Sequence, residues 1–332
     1  MSGNASDKPL VSIVLPTYKR AHVLPQAINS VLNQTYTNLE LVIVDDNSPD
    51  DTLEVVKSFN DSRIHYVKND PNLKLPRALN RGFSLARGDL LTWTSDDNIY
   101  APTAIERMVD ALVSENCDFV YADYYHFVDL DANLQPIAPQ HVQLPSQVQL
   151  ERYNHIGACF LYTRTLYEKI GDYDPDLFLV EDYDYFMRIA KLFTMHHIPE
   201  PLYYFRRDDE TLFCSRFTEI KALDVLVRYK NDLLDEHTAL EAVISLILNN
   251  IEGLKQPLLR WAHHRVKDFS YRLTVLHKSI ATAYLRWRLR RRVESILEEY
   301  RTGRATFKEA GAALSHSMQC FGTIEYKTPS VS

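Results

Sequence analysis

The chain has 332 residues, of which 45% are apolar, and a formal net charge of −7. That balance supports a sizeable buried core and excludes a chain disordered throughout. It also argues against a nucleic-acid coat protein, whose surface would be basic, so no nucleic-acid partner is expected.

In chain order, Val11 to Leu15 reads as a buried strand closed by Pro16. Leu24, Ala27, Ile28, Val31 and Leu32 recur at helical spacing. A second apolar run, Leu39 to Val44, stops at Asp45-Asp46-Asn47-Ser48-Pro49, and a helical pattern resumes from Thr52 to Phe59. Arg63 to Val67 alternates as a third strand. Leu75, Ala78, Leu79, Phe83 and Ala86 share a helical face, and Gly88 is expected as its stop. A fourth strand, Asp89 to Thr94, runs into Ser95-Asp96-Asp97-Asn98; a helix from Thr103 to Val113 and a strand from Phe119 to Ala122 follow. The proline- and glutamine-bearing stretch from about Asp129 to Leu150 is expected as a loop-rich insertion. Beyond Phe217 the chain is nearly free of proline and apolar residues return at helical spacing, which predicts a helical C-terminal region.

Alternating strands and helices predict an α/β fold with a mainly parallel sheet and helices on both faces. Ligands in such sheets sit outside the carboxyl ends of the strands. Pro16-Thr17-Tyr18, Asp45-Asp46 and Ser95-Asp96-Asp97 each follow a strand end, so three polar clusters converge on one edge.

Paired carboxylates on a turn are natural ligands for Mg²⁺ or Mn²⁺, and such an ion neutralises a diphosphate. An isolated Asp-Asp more often forms an Asx turn or a helix N-cap; its place after a buried strand raises its weight. A carboxylate of the second acidic turn can accept from the N–H edge of a base such as uracil. Glu181-Asp182 is a third acidic cluster, read as a general base or as a solvated helix start. His196-His197 and His263-His264 are adjacent pairs whose side chains diverge, and they are read as ordinary histidines.

Val11-Ser12-Ile13-Val14-Leu15-Pro16-Thr17-Tyr18, Leu41-Val42-Ile43-Val44-Asp45-Asp46-Asn47-Ser48, and Arg87-Gly88-Asp89 leading to Ser95-Asp96-Asp97 resemble the family 2 glycosyltransferases of GT-A (Rossmann-like) fold. Asp96-Asp97-Asn98-Ile99-Tyr100 is especially similar to the members that build bacterial spore-coat polysaccharide. Gly171-Asp172-Tyr173-Asp174 through Glu181-Asp182-Tyr183-Asp184, with Arg188, matches the family's acceptor-half motif. The resemblance covers about residues 10 to 215.

It implies inverting transfer of a sugar from a nucleotide-diphosphate sugar, UDP-linked in the first instance, to a hydroxyl of a saccharide or glycoconjugate acceptor. The setting it implies is bacterial polysaccharide or glycoconjugate synthesis. Asp182 takes the position of the catalytic base, with Glu181 beside it. Asp46 takes the position that contacts the base of the nucleotide, Asp96 the ribose or metal position, and Asp97 the metal position, for Mg²⁺ or Mn²⁺. Pro16, Thr17 and Tyr18 supply backbone groups and a ring to the nucleotide, and Arg77, with Lys74, is a candidate partner of the diphosphate. Two departures stand out: Thr94 where many members have an Asp, and Asp208 after Phe205-Arg206-Arg207 where many place a His, a substitute oxygen ligand or a lost contact.

The expected organisation is a catalytic domain over 1–215, a helical region over 216–322 and a tail over 323–332. Between residues 251 and 310 the chain is net positive by roughly eight charges, with Arg286, Arg288, Arg290, Arg291 and Arg292 crowded together. A solvated face, a homo-oligomer contact, a peripheral contact with anionic lipid and binding of an anionic acceptor or polymer all fit that segment.

Cys117, Cys159, Cys214 and Cys320 stand far apart, so free thiols are expected rather than disulfides or zinc. Met1 to Pro9 lacks an apolar leader core and no run reaches membrane-span length, so the expected setting is cytoplasmic, at most peripheral at the inner face of the membrane. Two rivals remain. A nucleotidyltransferase would bring a glycine-rich phosphate loop, which Leu15 to Arg20 lacks. A catalytically silent nucleotide-sugar-binding scaffold would have no need of Asp97 and Asp182.

Overall fold

The computed structural model describes residues 8–132, 134–246 and 286–319. Contacts divide the chain into two compact units, Met1–Thr211 and Leu212–Ser332. Cys320 and the pair His263-His264 lie outside the described residues, as does the basic stretch before Arg286.

The first unit is built on one mixed sheet. Its strands are β1 (Val11–Thr17), β2 (Leu39–Asp45), β3 (Ile64–Lys68), β4 (Leu90–Trp93), β5 (Ile99–Tyr100), β6 (Phe119–Phe127), β7 (Gln140–Val142), β8 (Phe160–Thr163) and β9 (Met195–Arg206). The spatial order is β3-β2-β1-β4-β8-β6-β9-β5, with β7 paired to β6. The first half is parallel, as strand–helix alternation requires: β1 pairs with both β2 and β4, and β2 with β3. The second half brings antiparallel pairs, β4 with β8 and β6 with β8, because β8 arrives after a long insertion rather than a single crossover helix. The insertion itself adds β7 to the edge of β6.

Every residue of β1 and of β2 is buried. Helices α1 (Leu24–Leu32), α2 (Thr52–Ser58), α3 (Leu75–Leu85), α4 (Ala104–Ser114), α5 (Arg164–Ile170) and α6 (Glu181–Ala190) flank the sheet. Leu24, Ala27, Ile28 and Val31 of α1, and Ile105, Met108 and Leu112 of α4, join one apolar cluster with Val11, Ile13, Leu15, Leu41 and Ile43. Each Leu, Ile, Val or Met side chain among them contributes about 1.5–3 kcal/mol when removed from water.

Gly88 is not the stop of α3. The helix ends at Leu85 with Ala86 as its cap, and Gly88 lies outside the left-handed region. What requires glycine there is close approach, since an added Cβ would stand 2.6 Å from the Leu10 carbonyl oxygen and from the Ser12 nitrogen. The Gly88 N–H donates to Ser12 Oγ, which donates to the buried Glu40 Oε1 at 2.6 Å. Arg87 closes the cluster with two guanidinium bonds to Glu40 Oε2, at 2.9 and 2.7 Å. Arg87-Gly88 thereby ties β1, β2 and β4 together at the end opposite the acidic turns.

In the second unit, α7 (Leu212–Ser215), α8 (Phe217–Lys230), α9 (236–246), α10 (286–301) and α11 (Phe307–Gln319) are helical. Leu223 and Leu226 of α8, Leu289, Val293 and Leu297 of α10, and Leu314 of α11 are buried. The arginine cluster is partly internal: Arg286 and Arg290 pair with Glu241, and Arg292 donates to Ser317. Among the described residues, no helix is long and apolar enough to cross a membrane. Cys117 and Cys159 are free thiols.

Candidate active site

β1 ends at Thr17, β2 at Asp45 and β4 at Trp93, and all three parallel strands point the same way. The turns that follow them therefore share one edge of the sheet.

The two members of the Asp45-Asp46 pair do different work. Asp45 is buried and structural: its Oδ1 accepts from the Ser48 N–H at 2.7 Å, closing the turn, and its Oδ2 accepts from the Tyr66 hydroxyl at 2.6 Å. Asp46 shapes the loop before α3. Its carboxylate accepts from Asn69 Nδ2 and from the N–H groups of Leu73 and Lys74, at 2.9, 2.7 and 2.8 Å. Among the described residues Oδ2 takes only the Lys74 bond, so one of its lone-pair directions is left for a ligand N–H. Thr17 is buried and Tyr18 is 41% exposed, presenting its ring at the mouth of this edge.

Asp96 and Asp97 lie just beyond β4, with little of either side chain exposed. Burial and the adjacent Asp97 charge push the Asp96 carboxyl up to about 7, against the pull of the Thr17 hydroxyl, Arg20 and the Tyr18 N–H. Burial likewise raises Asp97, opposed by Arg20 and Arg206 and reinforced by Asp208. Arg20 Nη2 stands 2.7 Å from Asp97 Oδ2, and its Nη1 reaches Glu210 at 3.2 Å. Arg206 donates to the Asp97 carbonyl and lies 3.7 Å from Asp208. Asp208 also caps its own turn, accepting from the Glu210 and Thr211 N–H groups. Thr94 takes no part in this corner: it is buried, and its oxygen lies 2.7 Å from the Tyr203 hydroxyl.

This corner fits a divalent cation of the Mg²⁺ or Mn²⁺ kind. Two oxygen-donor side chains on one turn, with Asp208 close by, suit an ion that takes its other oxygens from a diphosphate and water. Among the described residues no group of three or more His, Cys, Asp or Glu gathers into a closed cage, so the protein alone supplies an incomplete shell.

Asp182 opens α6, where the helix N-terminus favours a negative charge. Its Oδ1 accepts from the Tyr183 N–H at 2.7 Å and its Oδ2 from Asn154 Nδ2 at 3.0 Å. Asn154 sits in a loop anchored by the Tyr183 hydroxyl on the Leu150 carbonyl and turned at Gly157. Gly157 has φ +72 and packs so tightly on the Tyr124 ring that a Cβ would stand 2.6 Å from it. Glu181 is buried with Oε2 lacking a hydrogen-bond partner, and burial and the neighbouring Asp182 push its carboxyl up to about 8. Asp184 and Arg188 are structural. They pair at 2.8 Å, and Arg188 also holds the Ile170 and Asp172 carbonyls.

Trp93 and Tyr173 join the two halves. Trp93 Nε1 donates to the Tyr173 hydroxyl at 3.1 Å, and the Tyr173 ring stacks on Tyr185 of α6 at 4.1 Å. The end of β4 and the start of α6 thus meet through one aromatic bridge. Arg77 is turned aside from the acidic corner, with its guanidinium on the Pro175 carbonyl and Asp176.

Sequence reasoning passed over Arg20, Arg206 and Asn154. Arg20 stood two residues beyond Pro16-Thr17-Tyr18, a stretch already assigned to this edge, so its position was a usable signal. Arg206 stood in the Phe205-Arg206-Arg207 stretch already singled out before Asp208, a signal of the same kind, whereas Asn154 reaches the site only through the fold and left none.

The architecture is that of an α/β protein whose polar and acidic turns gather at the carboxyl ends of parallel strands, where such sheets bind their ligands. Residues 12–180 match the profile described as Glycosyl transferase family 2, and the chain belongs to that family. An uncharacterized glycosyltransferase of Rickettsia typhi is 30% identical over 200 residues, covering 57% of this chain and 62% of the relative. The UDP-Glc:alpha-D-GlcNAc-diphosphoundecaprenol beta-1,3-glucosyltransferase WfgD of Escherichia coli is 35% identical over 118 residues, covering 36% of this chain and 47% of the relative. The chain thus spans less than two thirds of these relatives' lengths. The fold is similar to that of the mannosyltransferase PcManGT of Pyrobaculum calidifontis, solved with GDP-Man and Mn²⁺, with a TM-score of 0.56, 17% identity, and coverage of 95% of this chain and 87% of that one. The fold is GT-A.

Proposed function

We propose that the chain transfers a sugar from a nucleoside diphosphate sugar, UDP-linked, to a saccharide or glycoconjugate hydroxyl with inversion, in polysaccharide or glycoconjugate assembly. The observation that carries this reading is the pairing of two carboxylate sites across one aromatic bridge: Asp96-Asp97 after β4, and Asp182 at the head of α6.

Asp182 takes the proton from the acceptor hydroxyl as that oxygen bonds to the anomeric carbon. Attack from the side opposite the leaving group inverts the centre, and the nucleoside diphosphate departs with the bonding electrons. Asn154 and the Tyr183 N–H fix the carboxylate's orientation. Asp46 accepts from the nucleobase, while Thr17 and Tyr18 border it. Asp97, with Asp96 and Asp208 close by, would hold Mg²⁺ or Mn²⁺, which supplies charge neutralisation to the diphosphate when bound.

Thermal-shift binding of UDP, GDP, dTDP and CDP, each with Mn²⁺ or with chelator, tests the donor site. The expected result is a metal-dependent rise in Tm with UDP that Asp97→Ala abolishes. Asp182→Asn should keep that rise while losing turnover by about 10²–10⁴-fold. A folded protein that responds to none of the four nucleotides would sink the reading.

A further inference from the structure

We infer that Arg20 is the resident counter-ion of the acidic corner: without donor it occupies the carboxylates that the divalent cation needs, and it must leave them for the cation to bind. The inference rests on the metal reading above and goes beyond it, since that reading gives Arg20 no role.

Three contacts carry it. The Arg20 guanidinium lies 2.7 Å from Asp97 Oδ2, 3.9 Å from Asp96 Oδ1 and 3.2 Å from Glu210 Oε2. Its side chain is 15% exposed, so it is packed into the corner rather than laid over it. Two neighbouring carboxylates with so little solvent access repel one another unless a cation stands between them, and here the chain supplies its own. The guanidinium takes one lone-pair direction of Asp97 Oδ2 and sets a fixed positive charge beside the two carboxylates, so it competes with a metal cation for Asp97.

The backbone of Arg20 is fixed, which confines the exchange to the side chain. Lys19 has φ 59 and its N–H donates to Ser48 Oγ. The Arg20 carbonyl accepts from Val23 and Leu24 at the start of α1, and the Ala21 N–H donates to Asp50. Glu210 offers the displaced guanidinium a nearby carboxylate, with a side chain 70% exposed that can follow it. The incomplete shell at Asp97 leaves Mn²⁺ alone a weak competitor, whereas Mn²⁺ arriving with a diphosphate brings further oxygens and prevails. Metal and nucleotide therefore load together.

The test measures free Mn²⁺ by electron paramagnetic resonance during titration of the full chain, without nucleotide and with UDP. Arg20→Gln should bind Mn²⁺ without nucleotide roughly tenfold or more tightly than the parent, a difference of about 1.4 kcal/mol. Its Tm should be lower in chelator and rise more on adding Mn²⁺. Arg20→Lys keeps a cation and should stay near the parent in both readouts; should Arg20→Gln not fold, parent-like Mn²⁺ affinity is still required of Arg20→Lys, and a large gain in that variant would overturn the charge argument. If Mn²⁺ with UDP binds the parent and is lost in Asp97→Asn, yet Arg20→Gln gains no affinity, the counter-ion role is wrong and the metal site stands. If Mn²⁺ does not bind the parent even with UDP, the metal reading falls and this inference with it.

Discussion

At the scale of single residues, Asp45 and Asp46 show how identical neighbours part ways. Asp45 spends its oxygens on Ser48 and Tyr66, and Asp46 shapes a loop while keeping one acceptor direction. Sequence can mark such a pair and cannot say which member is structural, since that is settled by a tyrosine and a loop distant in the chain. Glu181 makes a sharper point. Its carboxyl is raised from 4.5 to about 8, by burial and then by Asp182. The folded value lies above the unfolded one, so the neutral acid's contribution to stability is complete below about pH 4.5. That contribution drains away as pH climbs through about 8. Glu181→Gln mimics the neutral form. Thermal melts across pH should show the variant close to the parent near pH 5 and more stable by up to about 4 kcal/mol at pH 9, at roughly 1.4 kcal/mol per pKa unit. A parent-like decline in the variant at high pH would place the titrating group elsewhere.

At the scale of elements, the parallel half of the sheet was legible because apolar runs and acidic turns alternate so regularly. β5, β7, β8 and β9 were not anticipated, and β6, expected to end at Ala122, continues to Phe127. The reason is physical: Asp123 breaks the apolar pattern, yet its carboxylate is satisfied inside the sheet by His197, His141 and the Leu144 N–H. Gly88 was read as a helix stop, because a glycine after a helical run has two uses, and only the neighbouring backbone distinguishes them. The Glu40 cluster that depends on it makes its own prediction. Burial alone would raise the Glu40 carboxyl, but Ser12 and Arg87 hold it below its usual range. Its contribution is therefore present above about pH 4.5 and lost as pH falls through the lower folded value. Glu40→Ala should cost about 1–3 kcal/mol in denaturant melts at pH 7 and distinctly less at pH 3. An equal loss at both values would mean that packing, rather than charge, dominates there.

At the scale of the whole molecule, every residue assigned here to donor, metal or base falls within the first compact unit, Met1–Thr211. A chain shortened to that unit should retain the rise in Tm with UDP and Mn²⁺. Loss of the response in a folded fragment would overturn the assignment of the donor site to that unit. The presence of that helical unit was legible from its apolar spacing. Its internal pairings were not: Glu241 neutralises Arg286 and Arg290 across 45 and 49 positions of sequence, a distance over which charge pattern carries no information.

The aromatic bridge between β4 and α6 has an optical consequence. Trp93 is half-buried, hydrogen-bonded to Tyr173, and stands a few residues from Asp96 on one side and one ring from α6 on the other. Trp287 is 55% exposed and open to a dissolved quencher. In a Trp261→Phe background, which removes the one indole outside the described residues, emission that survives the quencher is accordingly weighted toward the indole at the junction of the two carboxylate sites, a built-in reporter of events on either side.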